Sequence, residues 1–240
     1  MLPLALAIAG MAAATPAMAR KHKADPVKTT KVATPAIGAD TRNYTVDFDP
    51  AHDEANVLVL DLSTGGRVLI RLEPSWAPKA VERIETLARQ GFYDGIVFHR
   101  VIDGFMAQTG DPTGTGQGGS KLPNLTAEFN AAPHLRGTVS MARTDDPDTA
   151  NSQFFIMFYP RFALDHKYTN IGRVIAGMDF VDTIARGEPP EAPSKIVQAS
   201  LLSDHKGPPP PPPPPVIAPP VPAPTPIAAP VKKVVRKKAH

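Results

Sequence analysis

The sequence predicts a mostly-β domain: a β-barrel closed on itself, with two α-helices plugging its ends and an unstructured segment on either side. Three observations carry that prediction. Eight short segments have strand-like alternation, and turn pairs bound several of them. Only two stretches have helical periodicity. Fourteen of the 29 prolines fall in the last 33 residues, where a chain that lacks N–H donors and has φ fixed builds neither helix nor central strand. In chain order, 57–62 and 67–72 alternate around Ser63-Thr64-Gly65-Gly66, a hairpin signal. A helix starts near Pro78, a favoured first-turn residue, and runs to Gln90 with Gly91 closing it. Its apolar stripe is Val81, Ile84, Leu87 and Ala88. Strands follow at 97–102 and 105–109 around Asp103-Gly104, then at 138–142, 153–158 and 171–176. A second helix spans 178–185, stopped by Gly187 and two prolines, and a last strand spans 195–202. Many short strands with few helices favour barrel closure, which removes exposed sheet edges.

Composition divides the chain into four parts. Residues 1–19 are small, apolar and uncharged and end in Ala17-Met18-Ala19, which reads as a signal peptide cleaved near Ala19. No Lys or Arg precedes the apolar run, but Pro3, Pro16 and its shortness argue against a spanning helix. A periplasmic or otherwise extracytoplasmic location is expected. Residues 20–43 form a basic lead-in without apolar period, expected to be disordered. The domain is expected at 44–203, with 14 basic and 20 acidic residues. Residues 204–240 form a proline-rich, basic-ended tail that reads as polyproline II followed by VKKVVRKKAH. The net charge of +3 therefore belongs to the ends, and the acidic domain gives no support to nucleic-acid binding. The tail reads either as a spacer with a solubilising end or as a tether to an envelope polymer, anionic lipid or acidic protein. Its X–Pro pairs, Ala218-Pro219 among them, are also possible ligands for the chain's own site.

The absence of cysteine excludes disulfides, thiolate metal sites and cysteine nucleophiles. The seven histidines lack metal-binding spacing, and no Gly-x-Ser-x-Gly elbow occurs. Neither metal nor cofactor is expected. Gly114–Gly119 lacks the Lys-Ser/Thr of a phosphate loop and reads as a surface loop. What remains is the run 98–111, which sets one arginine, Arg100, among large apolar side chains and an amide, and the run 151–156, which presents Gln153 and Phe155 together. Alternation puts His99 and Arg100 on opposite sides of their strand. With Arg100 outward, His99 reads as a buried structural histidine.

Together PKAVERIETLARQGFYDGIVFHRVIDGFMAQTGDPTGTGQGG, GTVSMAR, NSQFFIM and LDHKYTNIGRVIAGMDFVD resemble the cyclophilins, the cyclosporin-binding class of peptidyl-prolyl isomerases, in family order and over 60% of the chain. The match is to shorter bacterial, here exported, forms. The resemblance implies an eight-stranded antiparallel barrel capped by two helices, and an enzyme that turns X–Pro bonds in unfolded, proline-containing segments. A monomer is expected. The resemblance assigns Arg100 as catalytic. It places Phe105, Met106, Phe155 and Leu164 in the proline pocket and Gln108 on the substrate backbone. Arg143 matches a position whose main chain pairs with the substrate. Gln153 lies in the same groove, where it is expected to orient Arg100. Tyr168 stands where many members have a histidine, and its hydroxyl can still donate a hydrogen bond. Where many eukaryotic members have a tryptophan against cyclosporin, this chain reads Arg161-Phe162-Ala163-Leu164, so cyclosporin binding is expected to be weak.

The chemistry agrees with what the composition leaves out. The partial double bond of an imide costs ~18–20 kcal/mol to turn. No bond is made or broken, so neither nucleophile nor cofactor is required. In the twisted transition state the prolyl nitrogen regains its lone pair, and a fixed cationic donor aimed there stabilises it over the planar form. Arginine suits that task because it stays charged and presents several donors in a rigid fork. Two other classes fit the same residues: a proline-recognising binding module, and an adaptor built on the tail.

Overall fold

The computed structural model describes residues 40–210. The signal-peptide expectation, most of the basic lead-in and most of the tail lie outside them. Among the described residues, no helix is long and apolar enough to cross a membrane.

Eight strands form one antiparallel sheet: β1 (Val57–Leu62), β2 (Arg67–Leu72), β3 (Arg100–Ile102), β4 (Met106–Thr109), β5 (Thr138–Met141), β6 (Phe154–Met157), β7 (Asn170–Ala176) and β8 (Ile196–Leu201). Their spatial order is β3-β4-β6-β5-β7-β2-β1-β8. Leu58, Leu60, Val68, Ile70, Phe154, Ile156 and Ile171 face one buried core, into which α1 (Pro78–Arg89) inserts Val81, Ile84 and Leu87. The helix lacks a side-chain cap of its own. Instead, the Glu128 carboxylate accepts the N–H groups of Lys79 and Ala80 at 3.1 and 2.9 Å. It thereby satisfies two orphan donors at the positive end of the helix.

The expected barrel closure is not made by a strand ladder. The sheet is an open half-barrel whose terminal strands, β3 and β8, do not pair as strands. Between them stand one isolated bridge, Val97↔Lys195, and the bonds Phe98 N–H to Ser194 O and Ile196 N–H to Ile96 O. The predicted strand 97–102 accordingly shrinks to Arg100–Ile102. Its first residues turn aside to meet the start of β8, and its Val101 pairs in both directions with Gly187, outside any strand. The second helix, α2 (Met178–Asp182), ends three residues before its expected stop. Thr183 and Ile184 turn back onto Phe180 and Val181 instead.

The folded unit extends beyond its expected start. Asp40–Asn43 belong to it: the Arg42 guanidinium bonds Asp40 and the carbonyl of Trp76, and the Trp76 indole N–H bonds the carbonyl of Asn43. On β2, the buried guanidinium of Arg71 donates to the carbonyls of Asp47, Asp49, His52 and Asp53, clamping that strap to the sheet.

Candidate active site

Alternation along β4 and β6 builds the site. Ala107, Phe154 and Ile156 face the core. Met106, Phe155 and Met157 face the other way and form a second buried cluster, against which Phe105, Leu164 and Tyr168 pack. The register sets Gln108 opposite Phe155 on one side and opposite Arg100 on the other. On this outer wall lies a cavity of about 220 Å³, lined by Arg100, Phe105, Met106, Gln108, Ala142, Arg143, Phe155, Leu164 and Tyr168. Eight of the nine residues expected in the site meet there. Phe155 forms the wall and is braced edge-on by Tyr168, with ring centroids 5.5 Å apart.

Gln153, the ninth, lines an adjoining cavity of about 370 Å³ that shares Gln108, Ala142 and Arg143 with the first. It does not orient Arg100, as expected from sequence. Its Oε1 accepts from Gln108 Nε2 at 2.8 Å, and its Nε2 donates to the carbonyls of Gly116 and Gly118 at 3.0 and 2.7 Å. The glycine loop is thus a platform for Gln153. Its organiser is Asp111, whose carboxylate accepts the N–H groups of Thr113, Thr115, Gly116 and Gly118. Burial alone pushes that carboxyl up, but the hydroxyl and N–H donors of the loop overcome it and hold it at about 2. Gly118 must lack a side chain: a Cβ there would stand 2.2 Å from Asp111 Oδ1.

The partner of Arg100 is Glu188, whose Oε2 accepts from Nε at 2.8 Å. The Val101–Gly187 bridge fixes the two side by side on adjacent segments. The pair is 41% and 50% exposed, a regime in which ion pairs are worth only ~0–1 kcal/mol. Only Nε is engaged, and among the described residues neither terminal nitrogen of the guanidinium has a hydrogen-bond partner. The carboxylate therefore anchors the root of the fork and leaves its tines at the cavity. The sequence held no clear signal for Glu188, 88 residues downstream, because the contact depends on the short non-ladder bridge.

His99 points away from the cavity, as alternation required. It is 5% exposed beneath the glycine loop, where a Cβ on Gly116 would lie 3.5 Å from its ring. Neither ring nitrogen has a partner among the described residues, and burial depresses its pKa. Sequence reading also missed Ala142 in the wall and the chain Ser140–His134–Asp165 behind it. There His134 Nε2 meets Ser140 Oγ at 2.9 Å and Nδ1 meets Asp165 Oδ1 at 2.8 Å, while the ring stacks on Phe155.

The family model described as cyclophilin type peptidyl-prolyl cis-trans isomerase/CLD matches residues 59–201. The chain belongs to the cyclophilin family. This cyclophilin is 45% identical over 172 residues to a protein of Brucella suis biovar 1 named "Probable peptidyl-prolyl cis-trans isomerase", covering 65% of this chain and 87% of that one. It is 42% identical over 147 residues to "Peptidyl-prolyl cis-trans isomerase ppi1" of Schizosaccharomyces pombe, covering 57% and 94%. Among solved structures it superposes on the cyclophilin AquaCyp293 of Hirschia baltica with a TM-score of 0.59 at 32% identity, over 63% of this chain and 76% of that one. A Cryptosporidium parvum cyclophilin solved in the presence of the dipeptide Ala-Pro gives 0.56 at 28% identity, over 60% and 98%. The cyclophilin described here is accordingly an enzyme, a peptidyl-prolyl cis-trans isomerase.

Proposed function

We propose that Arg100 is the catalytic residue and that the protein speeds the folding of exported proteins outside the cytoplasm. The observation that carries the first part is the free end of the Arg100 guanidinium at the mouth of an apolar cavity. Phe105, Met106, Phe155 and Leu164 hold the proline ring there. Gln108, steadied by Gln153, bonds the substrate backbone. The cation then faces the prolyl nitrogen as its lone pair appears, stabilising the twisted imide more than the planar one. Arg143 contributes its main chain to substrate pairing, and Tyr168 closes the pocket beside Phe155. The stretch Arg161-Phe162-Ala163-Leu164 offers cyclosporin no tryptophan, and weak binding follows.

The test is peptide isomerisation by Arg100→Ala. Removing a donor to developing charge costs about 10²–10³-fold in comparable sites. Equal rates for the variant and the parent would leave a proline-binding module in place of an enzyme centred on Arg100. Arg100→Lys keeps the charge without the fork and should recover only part of the loss. Export is supported by the signal-like residues 1–19, and N-terminal mass spectrometry of the protein from an envelope fraction should find Arg20 first. We read the tail as a tether to an envelope polymer, anionic lipid or protein. Deleting 207–240 should then release the protein from envelope fractions without altering peptide turnover, and unchanged fractionation rejects the tether.

A further inference from the structure

We propose that the groove selects proline segments with acidic side chains on both flanks of the X–Pro bond, through Arg143 at one end and Arg161 at the other. This inference rests on the isomerase reading and adds the substrate class to it.

Arg143 lines the proline pocket, and Arg161 stands beside it on Phe105, a residue of its wall. Arg161 sits over the Phe105 ring, with Cζ 4.9 Å from the centroid. Arg143 sits over Tyr168 at 4.7 Å and near Phe129 at 5.7 Å. Stacking on an aromatic face fixes where each charge stands while leaving it accessible. Neither has a carboxylate within 4.0 Å among the described residues, a state shared by Arg71, Arg83 and Arg173 away from the pocket, whereas Arg42, Arg67, Arg89, Arg100, Arg136 and Arg186 each have one. Arg143 is held by the carbonyls of Lys167, Thr144 and Asp145, which saturate N–H groups without cancelling the charge. Of the carboxylates that follow in chain, Asp145 meets Arg143 only through its carbonyl, and Asp146 and Asp148 are turned to the N–H groups of Asp148 and Ala127. Asp103, two residues before Phe105, and Glu188 are engaged by Arg186 and Arg100.

The register fixes the spacing. Phe105 bonds Phe158 at one end of β6, and Ala142, next to Arg143, bonds Gln153 at the other. Gln153 and Phe158 flank the four residues of β6 and stand five backbone steps apart, roughly 16 Å. An extended substrate covers the same span with about five residues, so a proline centred in the pocket brings its flanking side chains to the two cations. Exposed pairs of this kind are worth up to about fivefold each, and salt screens them. The basic tail, which has no Asp or Glu after Asp204, is by the same rule a poor ligand for its own site.

The experiment compares three peptides of one length around Ala-Pro, with Glu, Ala or Lys two residues to each side. Dissociation constants and isomerisation rates are both measured by NMR on the full chain. At low salt the Glu peptide should bind and turn over at least about fivefold better than the Lys peptide. The gap should shrink in 0.5 M salt, which screens within about 4 Å. Arg161→Gln, an exposed site, should narrow the Glu/Lys ratio, and Arg143→Gln should narrow it further. A ratio near one at low salt, or a ratio indifferent to salt and to both variants, overturns the inference. If the Ala peptide isomerises while the ratio is one, only the selectivity falls. If no peptide isomerises faster than in buffer, the isomerase reading falls, and the ratio of dissociation constants still decides selectivity.

Discussion

Asp111→Asn tests whether the glycine loop is held by charge. Asp111 is 1% exposed. Its Oδ1 accepts from the N–H and hydroxyl of Thr113, and its Oδ2 from the N–H groups of Thr115, Gly116 and Gly118. An asparagine keeps one acceptor and turns an NH₂ toward the other set, so donors face donors. The carboxyl lies at about 2 against an ordinary 3.8, a difference that corresponds to about 2–3 kcal/mol of stability at neutral pH. The sign follows from the lowered pKa. The unfolded chain takes up the proton first, so the contribution is complete above 3.8 and is lost as pH falls toward 2. Urea unfolding should show the variant about 2–3 kcal/mol less stable at pH 7, with that gap narrowing by roughly two-thirds at pH 2.5. Peptide turnover should also fall, because Gln153 loses the two carbonyls that hold it against Gln108. Equal urea midpoints at pH 7, or a gap that persists undiminished into acid, would refute the charge argument.

Glu188→Gln should change kcat/KM by less than about fivefold, the ceiling for a half-exposed pair. A loss as large as that of Arg100→Ala, in the same peptide assay, would mean that the carboxylate does more than anchor Nε. His99 and His134 both have pKa values pushed down, first by burial, so the unfolded chain binds protons that the folded one refuses. Their contribution is full above the ordinary 6.5 and is lost as pH drops through the lowered values. Calorimetric midpoints should therefore decline from pH 7.5 to pH 5, less steeply in His99→Gln, and a rise on acidification would reverse the assignment.

The strands were legible where alternation and turn chemistry agreed. The predicted bounds 57–62 and 67–72 are those of β1 and β2, because Gly65 takes a φ of 94° in the turn between them. Legibility failed where pairing overrides local pattern. Residues 97–99 have strand composition, yet they cross to the start of β8 and leave the sheet open. The residues of the cavity were reachable through the motifs that carry the family resemblance. Their mutual contacts were not. Gln153 was expected on Arg100 because both flank one groove, but β4 runs between them and Gln108 takes the bond. Side-chain partners set by the pairing of distant strands leave no trace in spacing along the chain.

The serine–histidine–aspartate chain behind the pocket shows how little residue identity says without burial. Ser140 and His134 have no solvent exposure, so the hydroxyl cannot meet a substrate and the trio cannot act as a hydrolytic triad. Its geometry serves position instead. Asp165 follows Leu164 at the pocket lip and accepts both the backbone N–H and the ring nitrogen of His134. The imidazole in turn stacks on Phe155 at 6.3 Å and meets Ser140 on β5, the strand that sets Ser140 opposite Phe155. One buried ring thus ties the lip, the wall and the sheet together. An isomerase that moves no proton needs a cavity whose shape favours a twisted imide over a planar one, and only a wall that resists deformation can make that distinction.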